Sequence, residues 1–338
     1  MGVRPAAVFT SHRFAVRQDR VGLKVGIDGI VLAAAAARVA FAARAPSARS
    51  AAADDIVRVL DVGCGCGIIA LLLRQAASFA GQPAHVTALD IDGPAAEQAR
   101  ENVARSPWPS DFEVRHSSLQ HFVSSSDGAP RPFDLVVANP PYFPRPPPHI
   151  QLYSASNRAN QLKSHGRLEA SGEALWPQTR AHARFREYLP PLDLLHGAAA
   201  LLAPKGSFWC VYPASEEKIL LQAAQAAGFQ QRSRLGVKFK AGLPVPTPTN
   251  VFCLSASLSA RLCVALHVHH LKQVARVVWS FDLGLPPTTE GSTATANEAV
   301  ASPMVDEVLV VRHDDQTYTK EFEKLTQMCY AHALPTVQ

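Results

Sequence analysis

Short apolar runs alternate with segments of helical spacing from Val57 as far as Ala138. Val57 to Asp61 (VRVLD) reads as a strand that meets a glycine-rich turn, GCGCG at 63 to 67, and IIALLLRQAASFA follows with helical composition. Val86 to Leu89 is a second strand, ending in Asp90, and PAAEQARENVARS after it carries a proline near the first turn of a helix. Phe112 to Arg115 and Phe133 to Ala138 are the next two strands, the last running straight into Asn139-Pro140-Pro141-Tyr142. This alternation predicts an α/β fold around a mostly parallel sheet.

Beyond Tyr142 the pattern weakens. FPRPPPH at 143 to 149 is a loop or rigid arm, because proline removes backbone donors and restricts the residue before it. Order returns with a helix at about 192 to 203, a strand at Ser207 to Tyr212 and a helix at Glu216 to Ala227. Arg232 to Phe239 and Val251 to Ala256 then read as an antiparallel pair joined through LPVPTPT. Residues 284 to 303, rich in Thr, Ser, Ala and Pro, read as a disordered insertion. A strand at Glu307 to Arg312 and a helix from about Thr319 to Ala333 complete the pattern.

Composition narrows the class. The chain has 338 residues, 47% apolar and 18% charged, which excludes disorder throughout and a fibrous architecture. The apolar run Ile30 to Ala37 is far too short to cross a bilayer and no secretory signal opens the chain, so a soluble protein without a membrane partner is expected. Six cysteines form no C-x-x-C pair and no spaced Cys/His quartet, and the histidines of His267-Val268-His269-His270 lack matching ligands. Neither a disulfide framework nor a metal site is expected, which suits a reducing compartment. The net charge of +5 is uneven: residues 1 to 58 hold nine Lys and Arg against four Asp, which accounts for all of it. Such a segment suits a polyanionic partner, or simply a solubilising face.

Three constellations carry chemistry. Asp61-x-Gly63-x-Gly65-x-Gly67 couples a strand-end carboxylate to glycines that let backbone approach a ligand; its spacing differs from the dinucleotide fingerprint, and no Gly-Lys-Ser/Thr follows for a phosphate. A phosphate-free nucleoside cofactor, S-adenosylmethionine, fits that pattern. Asp90 ends the next strand, where a carboxylate can receive both hydroxyls of a ribose. The most informative is Asn139-Pro140-Pro141-Tyr142. An amine conjugated to a heteroaromatic ring is a poor nucleophile, but two acceptors, the Asn139 carboxamide oxygen and the Pro140 carbonyl, can take its two hydrogens and turn its lone pair toward a methyl group. The prolines fix that carbonyl, and Tyr142 can stack on a planar substrate.

Together these residues resemble the class I, Rossmann-like S-adenosylmethionine-dependent methyltransferases that act on amino groups. The resemblance narrows with Phe14-x-Val16-x-Gln18-Asp19-Arg20-x-Gly22-x-Lys24-Val25-Gly26-Ile27-Asp28-Gly29, Ser106-Pro107-Trp108, NPPYF and the tail VLVVRHDDQTYTKEFEKLTQMCY. These are similar to the tRNA1(Val) (adenine-N6) methyltransferase family, over most of residues 9 to 142, 180 to 257 and 305 to 332. The resemblance implies a seven-stranded fold with an antiparallel C-terminal hairpin, S-adenosyl-L-methionine as cofactor, and methylation of the adenine 3′ of the tRNA anticodon. It implies cofactor contacts from Lys24, Gly26, Asp28, Asp61, Gly63, Gly65, Gly67, Asp90, Ser118 and Asn139. Catalysis falls to Asn139, Pro140, Pro141 and Tyr142, and substrate contacts to Tyr142, Phe143, Arg13, Arg17, Arg20 and Arg184.

Two departures stand out. Ile27 occupies a position where the family usually has Thr, and Ser118 one where it tends to have Asp. Two insertions, about 144–175 and 258–304, have no counterpart in short family members and are possible sites for a protein partner. Residues 1–29 are expected to pack as a basic segment on the cofactor site, with 30–338 forming the methyltransferase domain. On that reading the charge of Arg13, Arg17 and Arg20 lines the cofactor mouth where an RNA backbone would pass. Cytoplasm is the expected location, with mitochondria as the alternative suggested by Arg4, Arg13 and Arg17 and no acid in residues 1 to 18. Protein-glutamine methylation of the release-factor type, guanine-N2 methylation of rRNA, and a non-catalytic RNA-binding subunit with the same fold remain open from sequence.

Overall fold

The computed structural model describes residues 8–41, 56–125, 132–142, 186–240, 250–255, 276–283, 305–313, 315 and 317–330. The fold opens with a small antiparallel hairpin, β1 (Val8–Thr10) and β2 (Ala15–Arg17), followed by helix α1 (Ile27–Ala40). Then comes the alternating series read from sequence: β3 (Val57–Val62), α2 (Ile68–Phe79), β4 (Ala84–Asp90), α3 (Gly93–Ala104), β5 (Phe112–His116), α4 (Leu119–Ser124) and β6 (Phe133–Ala138). After it come α5 (Pro191–Leu201), β7 (Leu202–Pro213), α6 (Glu217–Ala226), β8 (Phe229–Lys240), β9 (Asn250–Ser255), β10 (Arg276–Leu283), β11 (Val305–Arg312) and α7 (Lys320–Thr326).

Among the described residues nine strands share one sheet, in the order β11-β8-β10-β7-β6-β3-β4-β5 with β9 also paired to β7. The block β7-β6-β3-β4-β5 is parallel throughout, as the alternation predicts. Antiparallel strands follow, as expected, but with different partners. The anticipated pairing of Arg232–Phe239 with Val251–Ala256 is not a ladder: β8 runs antiparallel to β10, and β9 runs antiparallel to β7. The reason lies in RVVWSFDL, apolar enough to be a strand, which lies inside the stretch read as an insertion and takes the edge of β8. The rest of that insertion, the 144–175 insertion and the histidines at 267 to 270 lie outside the described residues.

Period-two alternation sends side chains to two cores, one on each face of the sheet. Val57, Val59, Leu135 and Val137 face the core shared with α1 and α2, while Leu60, Val62, Val136 and Ala138 face the one shared with α4, α5 and α6. Helix α1 is buried continuously from Gly29 to Ala37, and its small alanines let it lie close against α2, α7 and the sheet. It is a core helix. No helix among the described residues is long and apolar enough to cross a membrane.

The hairpin is bolted to this frame by buried amides. Gln75 of α2 accepts from the Ser11 hydroxyl and the Arg13 N–H at 3.2 and 3.0 Å, and donates to the carbonyl of Met328. Asn102 of α3 accepts from the Arg17 N–H at 2.9 Å and donates to the Arg17 and Cys66 carbonyls at 2.8 and 2.9 Å. Trp108 adds an edge contact with Phe14 and receives the Arg74 guanidinium on its face. Asn102 is only 1% exposed, so truncating it strands several polar groups away from water. We expect Asn102→Ala to lower unfolding free energy by about 2 to 4 kcal/mol in urea titrations; a loss below about 0.5 kcal/mol would contradict this anchoring.

Candidate active site

From β3 the chain moves outward to β4 and β5 on one side, and later to β6 and β7 on the other. Such a reversal leaves a crevice at the carboxyl ends of the strands. A cavity of about 1050 Å³, including its solvent-open mouth, lies there. Its floor is Val62 to Cys66 after β3, its sides are Leu89 to Asp92 after β4 and Ser117 to Gln120 after β5, and Asn139 and Pro141 after β6 face it. Residues 21 to 26 and Tyr188 with Leu189 close over it.

The turn is shaped by left-handed backbone at Gly63 and Gly65, with φ of 72° and 56°. A Cβ at either would meet nothing within 4 Å, so glycine is required here by conformation rather than by crowding. Gly63 and Cys64 both donate to the Leu89 carbonyl at 2.9 Å, and the Asp90 carboxylate accepts from the Gly65 N–H at 2.8 Å. The other Asp90 oxygen accepts from the Asp92 N–H, and Asp92 caps α3 by accepting from Ala95. Helix α2 starts at Gly67, which has no side chain to cap it. Asp61 supplies that cap from the strand behind, accepting the Ala70 N–H at 3.1 Å.

Opposite, Gln18 accepts the Val25 N–H at 2.7 Å and folds Val21 to Gly26 over the cavity. Gly29 lets α1 approach the site: a Cβ there would stand 3.5 Å from the Ile69 side chain and 3.9 Å from Asn139 Nδ2. Alanine fits at that distance and longer side chains crowd the carboxamide. Asn139 is half-buried and Pro140 is buried beneath it. Ser118 lines the cavity while its hydroxyl accepts from the His121 N–H as the cap of α4.

Lys24, Gly26, Gly63, Gly65, Asp90, Ser118, Asn139 and Pro141 therefore meet at one cavity. Asp61, Gly67 and Asp28 stand just behind it, in its supporting elements. Tyr142 turns inward, 9% exposed, with its ring 6.4 Å from that of Tyr212. Phe143 and Arg184 lie outside the described residues. None of the three arginines expected at the mouth is among the residues lining the cavity. Arg13 lies over Phe79 and bonds Ser78, ten residues and about 15 Å down α2 from Ile68. Arg20 pairs with Glu101, about 13 Å down α3 from Asp92, and Arg17 lies 3.7 Å from Asp19. Gln75 and Asn102 hold the hairpin from which these arginines project, and among the described basic residues Lys24 alone lines the cavity.

Residues 50–173 match the methyltransferase small domain family. The chain is 33% identical over 238 residues to the tRNA1(Val) (adenine(37)-N6)-methyltransferase of Phocaeicola vulgatus, covering 70% of this chain and 80% of that protein. It is 32% identical over 237 residues to the enzyme of the same name from Serratia proteamaculans, covering 70% and 73%. Among solved structures, TrmN from Thermus thermophilus overlaps 61% of this chain and 43% of its own, at 24% identity and a TM-score of 0.36. The chain belongs to the tRNA1(Val) (adenine-N6)-methyltransferase family. It is an S-adenosylmethionine-dependent methyltransferase.

The cavity of this methyltransferase suits that cofactor on its own evidence. Open space stands above Gly63 and Gly65, an acidic side chain borders it at Asp90, and no phosphate-cradling lysine follows the turn. Beneath it the Asp61 carboxylate is fully buried, with Oδ1 lacking any hydrogen-bond partner. An orphaned buried acceptor at a strand end fits a cationic ligand above it. Among the described residues no cluster could hold a metal ion, and Cys64, Cys66, Cys210 and Cys329 are free and buried. Burial, with Asp61 and Asp90 nearby, pushes the Cys64 and Cys66 thiols up, Cys66 to about 12, so neither is a thiolate nucleophile.

Sequence reasoning passed over Gln18, Gly29, Asn102 and Tyr188 as individual residues. Gly29 had a signal, a glycine in the first turn of an apolar helix, and Asn102 another, an amide that with Gln98 interrupts the small apolar residues on the buried face of α3. Burial, reinforced by Asp90, raises Asp61 from the usual carboxylate range to about 7 against the hydrogen bond from Ala70. Between about pH 4 and 7 the folded chain keeps a proton that the unfolded chain has lost, so stability falls as pH rises through that window and levels off above it. Asp61→Asn retains an acceptor for Ala70 and has no charge to desolvate. Urea unfolding from pH 5 to 8 should cost wild type about 2 to 3 kcal/mol more than the variant; parallel profiles would refute the assignment.

Proposed function

We propose that the chain methylates the N6 amine of an unpaired adenine in tRNA, the one 3′ of the anticodon at position 37, using S-adenosyl-L-methionine. The observation that carries this reading is the meeting of Asn139 and Pro141 with the glycine turn and Asp90 in one cavity. Relatives that cover this chain's length to 70% carry the names of enzymes for that adenine. When bound, the cofactor supplies an electrophilic methyl group.

The chain's own residues hold the amine. The Asn139 oxygen and the Pro140 carbonyl accept its two hydrogens, which pulls the nitrogen out of conjugation and directs its lone pair. Pro141 keeps the Pro140 carbonyl from rotating away, and Pro140 itself is buried. Gly63 and Gly65 leave room for ligand atoms, and Asp90 and Lys24 supply the charges at the rim. The attacked amine becomes acidic as its new bond forms, so its proton leaves without a strong base. Residues 1–29 act as the segment that closes on the cofactor, and residues 30–338 as the methyltransferase domain. A tRNA substrate and four buried free thiols suit a reducing, cytoplasmic setting.

Removing the carboxamide leaves one acceptor where two are needed. Asn139→Ala should lower kcat by roughly 100-fold or more with S-adenosylhomocysteine affinity within about threefold of wild type, read by tRNA methylation and calorimetry. Near-normal turnover would overturn the role given to Asn139.

A further inference from the structure

A purine offers two things to grip, an exocyclic amine and a flat apolar face. The amine has its acceptors at Asn139 and Pro140, but the aromatic residue expected beside them, Tyr142, is turned into the core against Tyr212 and does not border the cavity. One aromatic side chain among the described residues does border it: Tyr188.

Its position is fixed by its neighbours. Tyr188 ends a single helical turn, Arg186–Tyr188, closed by the Leu189 N–H donating to the Arg186 carbonyl at 3.2 Å. Arg186 Nη1 pairs with Glu216 Oε2 at 2.8 Å, tying the turn to the end of β7. On the other side Leu189 is buried in the core that also holds Tyr142 and Tyr212, and Pro190 with Pro191 leads rigidly into α5. Buried and ionic anchors thus hold a half-buried ring at the cavity wall, on the side of the sheet where the Asn139 loop packs.

We propose that Tyr188 is the residue on which the target base stacks, taking the part that the spacing of Asn139-Pro140-Pro141-Tyr142 assigns to Tyr142. This rests on the reading that the substrate is an unpaired adenine. Stacking is tolerant of the phenol hydroxyl, so phenylalanine serves in place of tyrosine and alanine does not.

The test uses full-length wild type, Tyr188→Ala and Tyr188→Phe, with tRNA methylation kinetics read as N6-methyladenosine and S-adenosylhomocysteine affinity by calorimetry. Tyr188→Ala should lower kcat/KM for tRNA about tenfold or more, chiefly through KM, with S-adenosylhomocysteine affinity within about twofold of wild type; Tyr188→Phe should stay within about threefold in kcat/KM. Retained cofactor affinity also shows that the alanine variant is folded. If Tyr188→Ala methylates tRNA as well as wild type does, or loses cofactor affinity in parallel with turnover, the ring does not stack on the base and the proposal falls. A wild-type enzyme that makes no N6-methyladenosine in tRNA overturns the adenine reading itself, a different result from an unaffected Tyr188→Ala.

Discussion

Asn102 presents to Arg17 the donor and acceptor that a neighbouring strand would, and spends its second amide hydrogen on the Cys66 carbonyl within the glycine turn. One buried side chain thereby joins the N-terminal hairpin to the loop that forms the cavity floor. From Arg17 the chain passes to Gln18, whose amide oxygen holds Val25 and folds residues 21 to 26 into the roof. Roof and floor are thus set relative to each other through α3, and Gln75 extends the same bracing to the C-terminal Met328 and Cys329 region. Buried amides of this kind are costly to leave half-satisfied, so the geometry they define is held firmly.

The same economy explains the acids. Asp61 and Asp90 stand at the ends of adjacent strands, and each carboxylate holds backbone N–H groups of the turn or of the helix that follows it. These hydrogen bonds fix the direction of both carboxylates. The low-dielectric floor penalises Asp61 as long as no positive charge lies near it.

Much of this is legible in the sequence. The parallel strands, the glycine turn, Asp90 and Asn139 follow from periodicity and spacing, since those patterns are local and the backbone rules behind them hold everywhere. Contacts distant in sequence were not legible. Nothing in Arg13 or Arg20 announces that they rest on Phe79 and Glu101, because the hairpin's docking is decided by Gln75 and Asn102 some sixty to eighty residues away. Tyr142 reads as a stacking residue from its motif, yet Tyr212 on β7 draws it into the core. Tyr188 follows a basic stretch with no periodic pattern, and its importance appears only when the turn is seen against the cavity. The strand β10 was hidden for a simpler reason: a short apolar run leading into a polar, proline-containing stretch reads as part of an insertion.

The function of the chain turns on which atom is methylated and where. Total tRNA from a strain lacking this enzyme, incubated with the protein and isotopically labelled S-adenosylmethionine, can be digested to nucleosides and to mapped fragments for mass spectrometry. Label is expected in N6-methyladenosine at the adenine immediately 3′ of an anticodon. Label in another nucleoside, or at an adenine elsewhere in the tRNA, would contradict this function.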